Sequence, residues 1–457
     1  MATVNRLEHE YTHGGAVAAR IDPLAQLERS VMSCLLWEDE HYEDGQSIGQ
    51  RITDLVKQLP AADVARVAVQ AKVDMKLRHT PLLLAREMLR TKDGRAAFGG
   101  VAEKVFARAD DITEFLALYW KDRKDEPLAK QAKRHVGEAF RRFDEYQLAK
   151  YNGGQKAVKL RDAIRITRPK PKSAEQAELW RKLVKGELAT PDTWEVALSG
   201  GANKKAAFER LMAEGKLGAL AFLRNLRNMK QAGVSQKVVA EYAEKAKVDR
   251  ILPFQFVAAA RAVPEWEGVV EPMMLRCLEG QKLLPGKTVL VIDTSGSMGA
   301  RLSSKSELSR KDVAAALAIL AREVCEEAAI YCTAGDDGTR VHATMPIPAR
   351  RGFALSDYII GGEVDRKIGG GGIFLVQCMA FIRQQEKEAD RIIVLTDEQD
   401  CDTKLKPEAA DAFGKRNYLI NVASAKHGIG YRKWLHIDGW SDKVLTYIAQ
   451  YEASEQE

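Results

Sequence analysis

Asp293, Ser295 and Ser297 set three oxygen side chains on one tight run, Asp293-Thr294-Ser295-Gly296-Ser297, and Asp397 adds a second carboxylate further along the chain. Each acid follows a short apolar, β-branched stretch, Lys287–Ile292 before the first and Arg391–Thr396 before the second. Such stretches read as buried strands. Gly296 permits a turn that points both hydroxyls inward. Two carboxylates and two hydroxyls at a sheet end make a hard-oxygen site. Mg²⁺ or another divalent cation suits it, because Mg²⁺ keeps several waters and needs only one or two carboxylates. No His or Cys stands at zinc-ligand spacing. The plainer alternative is a turn with a helix N-cap and no ion.

A second group of candidates is basic. Between Lys121 and Lys185 there are nineteen Lys and Arg against nine Asp and Glu, while the whole chain carries only +6. A local excess of this kind points to an anionic partner, most often nucleic acid, or else to a solvated helical surface. Lys130, Lys133, Arg134, Arg141 and Arg142 fall at helical offsets. With Lys150, Lys156, Arg161, Arg165 and Arg168 they suit a stripe that follows phosphates, with sequence-tolerant, salt-dependent affinity. Arg224-Asn225 interrupts an apolar helix; a buried Arg there would need either an RNA phosphate or an internal carboxylate. Trp120 and Trp180 lie beside basic residues and either stack bases or pack in the core.

The elements that must position these residues divide the chain in two. Residues 1–280 read as successive helices. Apolar residues recur at helical spacing in Leu24, Leu27, Val31, Leu35 and in Ile52, Leu55, Val56, Leu59. Thr80-Pro81 marks a helix start, with Thr80 as the expected cap. Paired helices with short connections suggest stacked, HEAT-like repeats that bury their faces against neighbours. From residue 286 to 457 strands alternate with helices. Strands are expected at Lys287–Ile292, Ala328–Cys332, Arg391–Thr396 and Tyr418–Val422. Helices are expected near Ser309–Glu327, Phe374–Gln385 and Ser441–Tyr451. That pattern predicts a doubly wound, mostly parallel α/β sheet with ligands at the carboxyl ends of its strands.

Bulk properties narrow the class. At 46% hydrophobic and 29% charged, the chain has the composition of a folded globular protein. Met1–Arg20 lacks the apolar core of a secretory signal, and no apolar run reaches the ~18–20 residues needed to span a bilayer. Six scattered cysteines without a C-x-x-C pair fit a reducing cytosol, so a cytoplasmic location is expected.

The loop Asp293-x-Ser295-x-Ser297, with Thr396-Asp397 after a later strand, resembles the metal-ion-dependent adhesion site of von Willebrand A domains. That family places a Thr in a Gly-Gly-Thr loop; here Gly369-Gly370-Gly371-Gly372-Ile373-Phe374 has none, which puts metal binding in doubt. Helical repeats followed by an A domain resemble the Ro autoantigen (TROVE) family. Local stretches carry the likeness. Lys150-Tyr151-Asn152-Gly153-Gly154 followed by Leu160–Pro171 looks like the family's K-Y…K-D-L-L-R-L-S-H-L-K-P. Ala219–Leu226 looks like T-A-L-L-R-N-L, and Ile251-Leu252-Pro253-Phe254 is similar to I-H-P-F. The resemblance implies a monomeric ring closed by the A domain. It implies Y-type small RNA on a basic outer surface and single-stranded 3′ ends of misfolded or immature RNA in a central hole. In bacteria it further implies a tethered exoribonuclease, polynucleotide phosphorylase. Arg168 stands where the family has an RNA-binding His.

No catalytic set accompanies these features. His79, His135, His342, His427 and His436 have no nucleophile motif nearby, and Gly369–Gly372 lacks the Lys and Ser/Thr of a phosphate loop. A non-enzymatic RNA-binding scaffold is therefore expected. The alternatives are a metal-dependent protein-adhesion module on a helical platform, or a metal-dependent nuclease.

Overall fold

The structure is a computed structural model that describes residues 22–32, 45–75, 77–154, 156–199, 203–249, 251, 253–279, 284–302, 308–402, 416–423, 434–438 and 444–454. Leu35, Leu252, His427 and Ser441, named above, lie outside them, as do residues 1–20. Two compact units result. One comprises Met1–Arg29, Trp37–Ser47 and Gly218–Glu457, and the other Ser30–Leu36 and Ile48–Leu217. The bounds expected at 280 and 286 fall inside the first unit.

Among the described residues of the second unit, every secondary-structure element is a helix. Ala61–Val73, Thr80–Leu89, Lys92–Val105 and Ala109–Tyr119 pack on one another, followed by Lys130–Ala139, Leu160–Thr167 and Ala174–Lys185. Thr80–Leu89 is buried on every side. Its charged residues are matched accordingly: Arg86 Nε donates to Glu87 Oε1 at 2.6 Å, and the C-cap residue Arg90 donates to Glu87 Oε1 at 3.0 Å and reaches Asp122 at 2.7 and 2.8 Å. Buried charges persist only when paired in this way. The cap of this helix is His79, with Thr80 already its first residue and Pro81 in the first turn. Pro suits that position because its missing N–H has no intrahelical partner there. Side-chain caps close several other starts, with Thr91 accepting from Gly94, Asp144 from Gln147 and Ser173 from Gln176.

In the first unit, helices Ala219–Gln231, Gln236–Lys245, Pro253–Ala262 and Glu267–Leu278 lead into a six-stranded sheet. Its strands are β1 (Leu284–Asp293), β2 (Cys325–Asp336), β3 (Val341–Pro346), β4 (Arg391–Thr396), β5 (Asn417–Asn421) and β6 (Trp434–Asp438). The order is β3-β2-β1-β4-β5-β6, parallel except for the antiparallel edge strand β3. The expected parallel sheet is thus present, and β3 makes it mixed. β3 is half-exposed and carries no sustained β-branched run, so local pattern did not announce it.

Alternation along the strands sorts the core into two faces. Val289, Val291, Ile392, Val394 and Leu419 pack with Leu375, Met379 and Ile382 of helix Leu375–Gln385. Leu290, Ile292, Ile393 and Leu395 point the other way and are buried. Helix Arg310–Val324 packs against β1 and β2. Strand order reverses at β1, where the chain first builds outward through β2 and β3 and then through β4, β5 and β6. A doubly wound sheet opens its ligand crevice beyond the carboxyl ends at such a reversal. Asp293 ends β1 and Asp397 follows β4 at that point.

Candidate functional site

The strands bring the four oxygen residues together. β1 and β4 pair with Ile292 opposite Leu395, which sets Asp293 beside Thr396. Thr396 Oγ1 donates to Asp293 Oδ2 at 2.6 Å, and Ser295 N donates to Asp293 Oδ1 at 2.8 Å. Ser295 Oγ and Ser297 Oγ lie 3.2 Å apart in one hydrogen bond. Asp293 and Asp397 are fully buried. Burial, and then the neighbouring Asp397 charge, push the Asp293 carboxyl up to about 7 against its hydrogen bonds.

A residue that sequence reasoning missed completes the cluster. Arg310, buried at the first position of helix Arg310–Val324, sets Nη1 2.9 Å from Asp397 Oδ2 and 3.4 Å from the Ser297 carbonyl. The signal was available. Arg310 and Lys311 open a helix whose N-terminal dipole disfavours cations, so both need carboxylates elsewhere. Lys311 finds Asp365, at 2.7 and 2.9 Å, and Arg310 finds Asp397.

Tested against divalent-ion chemistry, the donor set is incomplete. Asp397 already receives a guanidinium. Ile373, next after the glycines, is an apolar core residue, so that stretch offers no hydroxyl. Instead Gly371 O accepts from Gly296 N at 3.3 Å, and a Cβ on Gly296 would lie 2.9 Å from Gly370 O. Among the described residues no three His, Cys, Asp or Glu side chains cluster as ligands. A hard-cation site here would therefore rest on two carboxylates and two hydroxyls.

Glu398, also missed, adopts φ 60°, a left-handed conformation that non-glycine residues seldom take. It is buried between Arg29 and His436, whose Nδ1 lies 3.0 Å from Glu398 Oε1.

The basic candidates separate by use. Lys130, Lys133 and Arg134 are exposed on helix Lys130–Ala139, whose Ala132, Val136 and Ala139 face inward. Arg134 also meets Glu138 at 3.0 Å. Arg161, Arg165 and Arg168 are exposed on or just after helix Leu160–Thr167, with Arg168 as its left-handed cap at φ 47°. Arg141 and Arg142 do different work. Arg141 donates to Lys170 O, and Arg142 donates to Glu103 O and Phe106 O at the end of helix Lys92–Val105. Both line a cleft of about 500 Å³ with His135, Glu138 and Lys172 over Gly99-Gly100. Lys156 is half-buried and donates to Tyr151 O; burial lowers its pKa. Lys150 is exposed, 5.8 Å from the Tyr146 ring centre and 5.7 Å from that of Tyr151.

Arg224 is exposed, so neither partner expected for a buried Arg is required. Asn225 is the buried member, donating to Ala221 O within its own helix and accepting from Asn228. Trp180 is buried against the edge of Phe140, and half-buried Trp120 donates its indole N–H to Glu126 O. Trp180 is therefore a core residue.

Fold and residues together define a class: a helical array joined to a doubly wound α/β domain whose strand ends carry a D-x-S-x-S loop. Known proteins narrow it. The TROVE domain family model matches residues 184–274, from the end of helix Ala174–Lys185 into helix Glu267–Leu278. Over 87 residues the chain is 34% identical to mouse telomerase protein component 1, a match spanning 18% of this chain and 3% of that protein. The crystal structure of the Deinococcus radiodurans Ro (Rsr) protein matches with a TM-score of 0.66 at 19% identity, covering 95% of this chain and 100% of that one. At that identity the likeness is one of fold. Residues 184–274 thus match the TROVE domain model, and the chain has the fold of a Ro protein, as its sequence resemblance led us to expect.

Proposed function

We propose that this chain is an RNA-associated, non-enzymatic scaffold of Ro type that forms a ribonucleoprotein for RNA quality control or processing in the cytoplasm. The observation that carries the reading is the exposed basic face Lys130, Lys133 and Arg134 on a Ro fold, with Arg161, Arg165 and Arg168 exposed in the same compact unit. Long cations held in water meet phosphates at little desolvation cost and release counterions on binding. On this reading the basic surface takes a Y-type small RNA. A central hole, as in the family's ring, takes single-stranded 3′ ends, and an exoribonuclease such as polynucleotide phosphorylase is the partner to seek. Residues 286–457 then act as a von Willebrand A-type domain that contacts protein. No helix among the described residues is long and apolar enough to cross a membrane.

The test is binding of the full chain to RNA with a free single-stranded 3′ tail across a salt series, with and without EDTA. Affinity that falls steeply with salt and ignores EDTA is expected. Absence of binding at low salt would sink the proposal, and partner capture that EDTA abolishes would favour a metal-dependent adhesion module instead.

A further inference from the structure

The loop at the end of β1 has the residue types of a metal site and a cation already beside it. We infer that Arg310 takes the place of the divalent ion, so that the Asp293-Thr294-Ser295-Gly296-Ser297 loop is organised from within the chain and works without metal.

Three independent features support this. Arg310 is buried, and its Nη1 lies 2.9 Å from Asp397 Oδ2 and 3.4 Å from the Ser297 carbonyl. The guanidinium therefore bridges the two sequence segments that a bound ion would bridge. Each neighbouring oxygen also has a partner inside the protein. Asp293 accepts from Ser295 N and Thr396 Oγ1, the two serine hydroxyls bond to each other, and Asp397 Oδ1 accepts from Gln399 N at 3.3 Å. Finally, the glycine loop contributes a backbone carbonyl to Gly296 N, while the next side chain, Ile373, turns into the apolar core.

Electrostatics makes the two cations exclusive. Arg310 already offsets the charge of Asp397. A divalent ion would bury two further positive charges beside that guanidinium, at separations where buried charges repel strongly. Moving Arg310 aside would leave a buried guanidinium without its carboxylate, which is equally unfavourable. A planar donor fork suits carboxylate and carbonyl oxygens at hydrogen-bond distance and is always charged, whereas a metal site depends on ion supply.

The inference concerns metal binding alone and does not depend on the RNA reading. Mn²⁺ titration of the full chain, followed by the electron paramagnetic resonance signal of free Mn²⁺, tests it directly. The wild type should take up no Mn²⁺ at the loop, and its unfolding temperature should be the same in millimolar Mg²⁺ and in EDTA. Arg310→Gln should gain uptake of one Mn²⁺ per chain, and adding Asp293→Asn to it should abolish that gain. Wild-type uptake of one Mn²⁺ that Asp293→Asn removes overturns the inference. So does a folded Arg310→Gln chain that still takes up none. Should Arg310→Gln not fold, the wild-type titration and its Asp293→Asn control still decide.

Discussion

Arg29 and Glu398, separated by 369 positions in the chain, meet as a buried ion pair with Arg29 Nη2 3.4 Å from both carboxylate oxygens of Glu398. The pair fastens helix Pro23–Met32 to the turn after β4. Tyr447 of helix Val444–Ser454 adds a hydrogen bond to Glu28 at 3.2 Å. Burial alone would raise the Glu398 carboxyl; Arg29 first, and then His436, outweigh it and hold the group below its ordinary value. Removing one member of a buried pair strands the other, at about 3–5 kcal/mol. Glu398→Gln and Arg29→Met should each lower the urea midpoint of the full chain, and the double variant should lose less than the sum. Strict additivity, read by circular dichroism, would show that the two side chains do not interact.

Arg261 and Asp312 give a pH dependence whose sign can be worked out. Arg261 closes helix Pro253–Ala262, and Asp312 sits in the capping box of helix Arg310–Val324, accepting from Ser309 N at 2.7 Å. Burial raises the Asp312 carboxyl, but the hydrogen bonds from Arg261 and Ser309 hold it below its ordinary 3.8. A depressed carboxylate contributes stability that is present above its unfolded value and lost as pH falls through the folded one. Acid unfolding of the wild type should therefore steepen below about pH 4. Asp312→Asn should flatten that limb and cost about 1 kcal/mol at neutral pH through the weakened cap. Superimposable acid limbs for the two proteins would contradict this.

The exposed basic face predicts charge-dependent, sequence-tolerant binding. Lys133→Glu with Arg134→Glu should weaken RNA binding across unrelated sequences. It should also make the salt dependence shallower, by roughly 0.7 in slope for each phosphate of single-stranded RNA that the variant no longer neutralises. Unchanged affinity and slope would remove these residues from the interface. Circular dichroism should not change, because both side chains are exposed.

Arg142 should behave differently. Its guanidinium holds the Glu103 and Phe106 carbonyls at 2.6 Å each. Arg142→Ala leaves both to water and should lower the unfolding midpoint by about 1 kcal/mol in stability. Lys133→Ala should leave the midpoint where it is. Equal midpoints for Arg142→Ala and the wild type would argue against the capping role.

The glycine loop makes a steric prediction. A Cβ on Gly372 would run into Cys401 Sγ and lie 2.9 Å from Asp337 Oδ1, whereas one on Gly370 meets nothing within 4 Å. Gly372→Ala should destabilise by roughly 1–3 kcal/mol. Gly370→Ala should stay within about 0.5 kcal/mol of the wild type by thermal unfolding. The reverse order would mean that the loop packs otherwise.

Much of this architecture follows from local pattern. β1, β4 and β5 were legible because buried parallel strands read as continuous apolar runs, and helix Leu375–Gln385 because apolar residues recur on one face. Asp293 and Asp397 were legible as strand-end residues for the same reason, and the basic run Lys130–Arg134 needed only counting. Partnership was not legible. Whether Arg310 faces solvent or Asp397, whether Arg142 meets RNA or the carbonyls of Glu103 and Phe106, and whether Arg224 is buried all depend on which distant segment lies alongside. Residues far apart in the chain, such as Arg29 and Glu398, carry no periodic signal of their pairing. The sequence by itself determined that two acids and two hydroxyls stand at the carboxyl ends of buried strands. Only the tertiary structure decided that the cation beside them is Arg310, because a buried charge is satisfied by whatever the fold brings within a few ångströms.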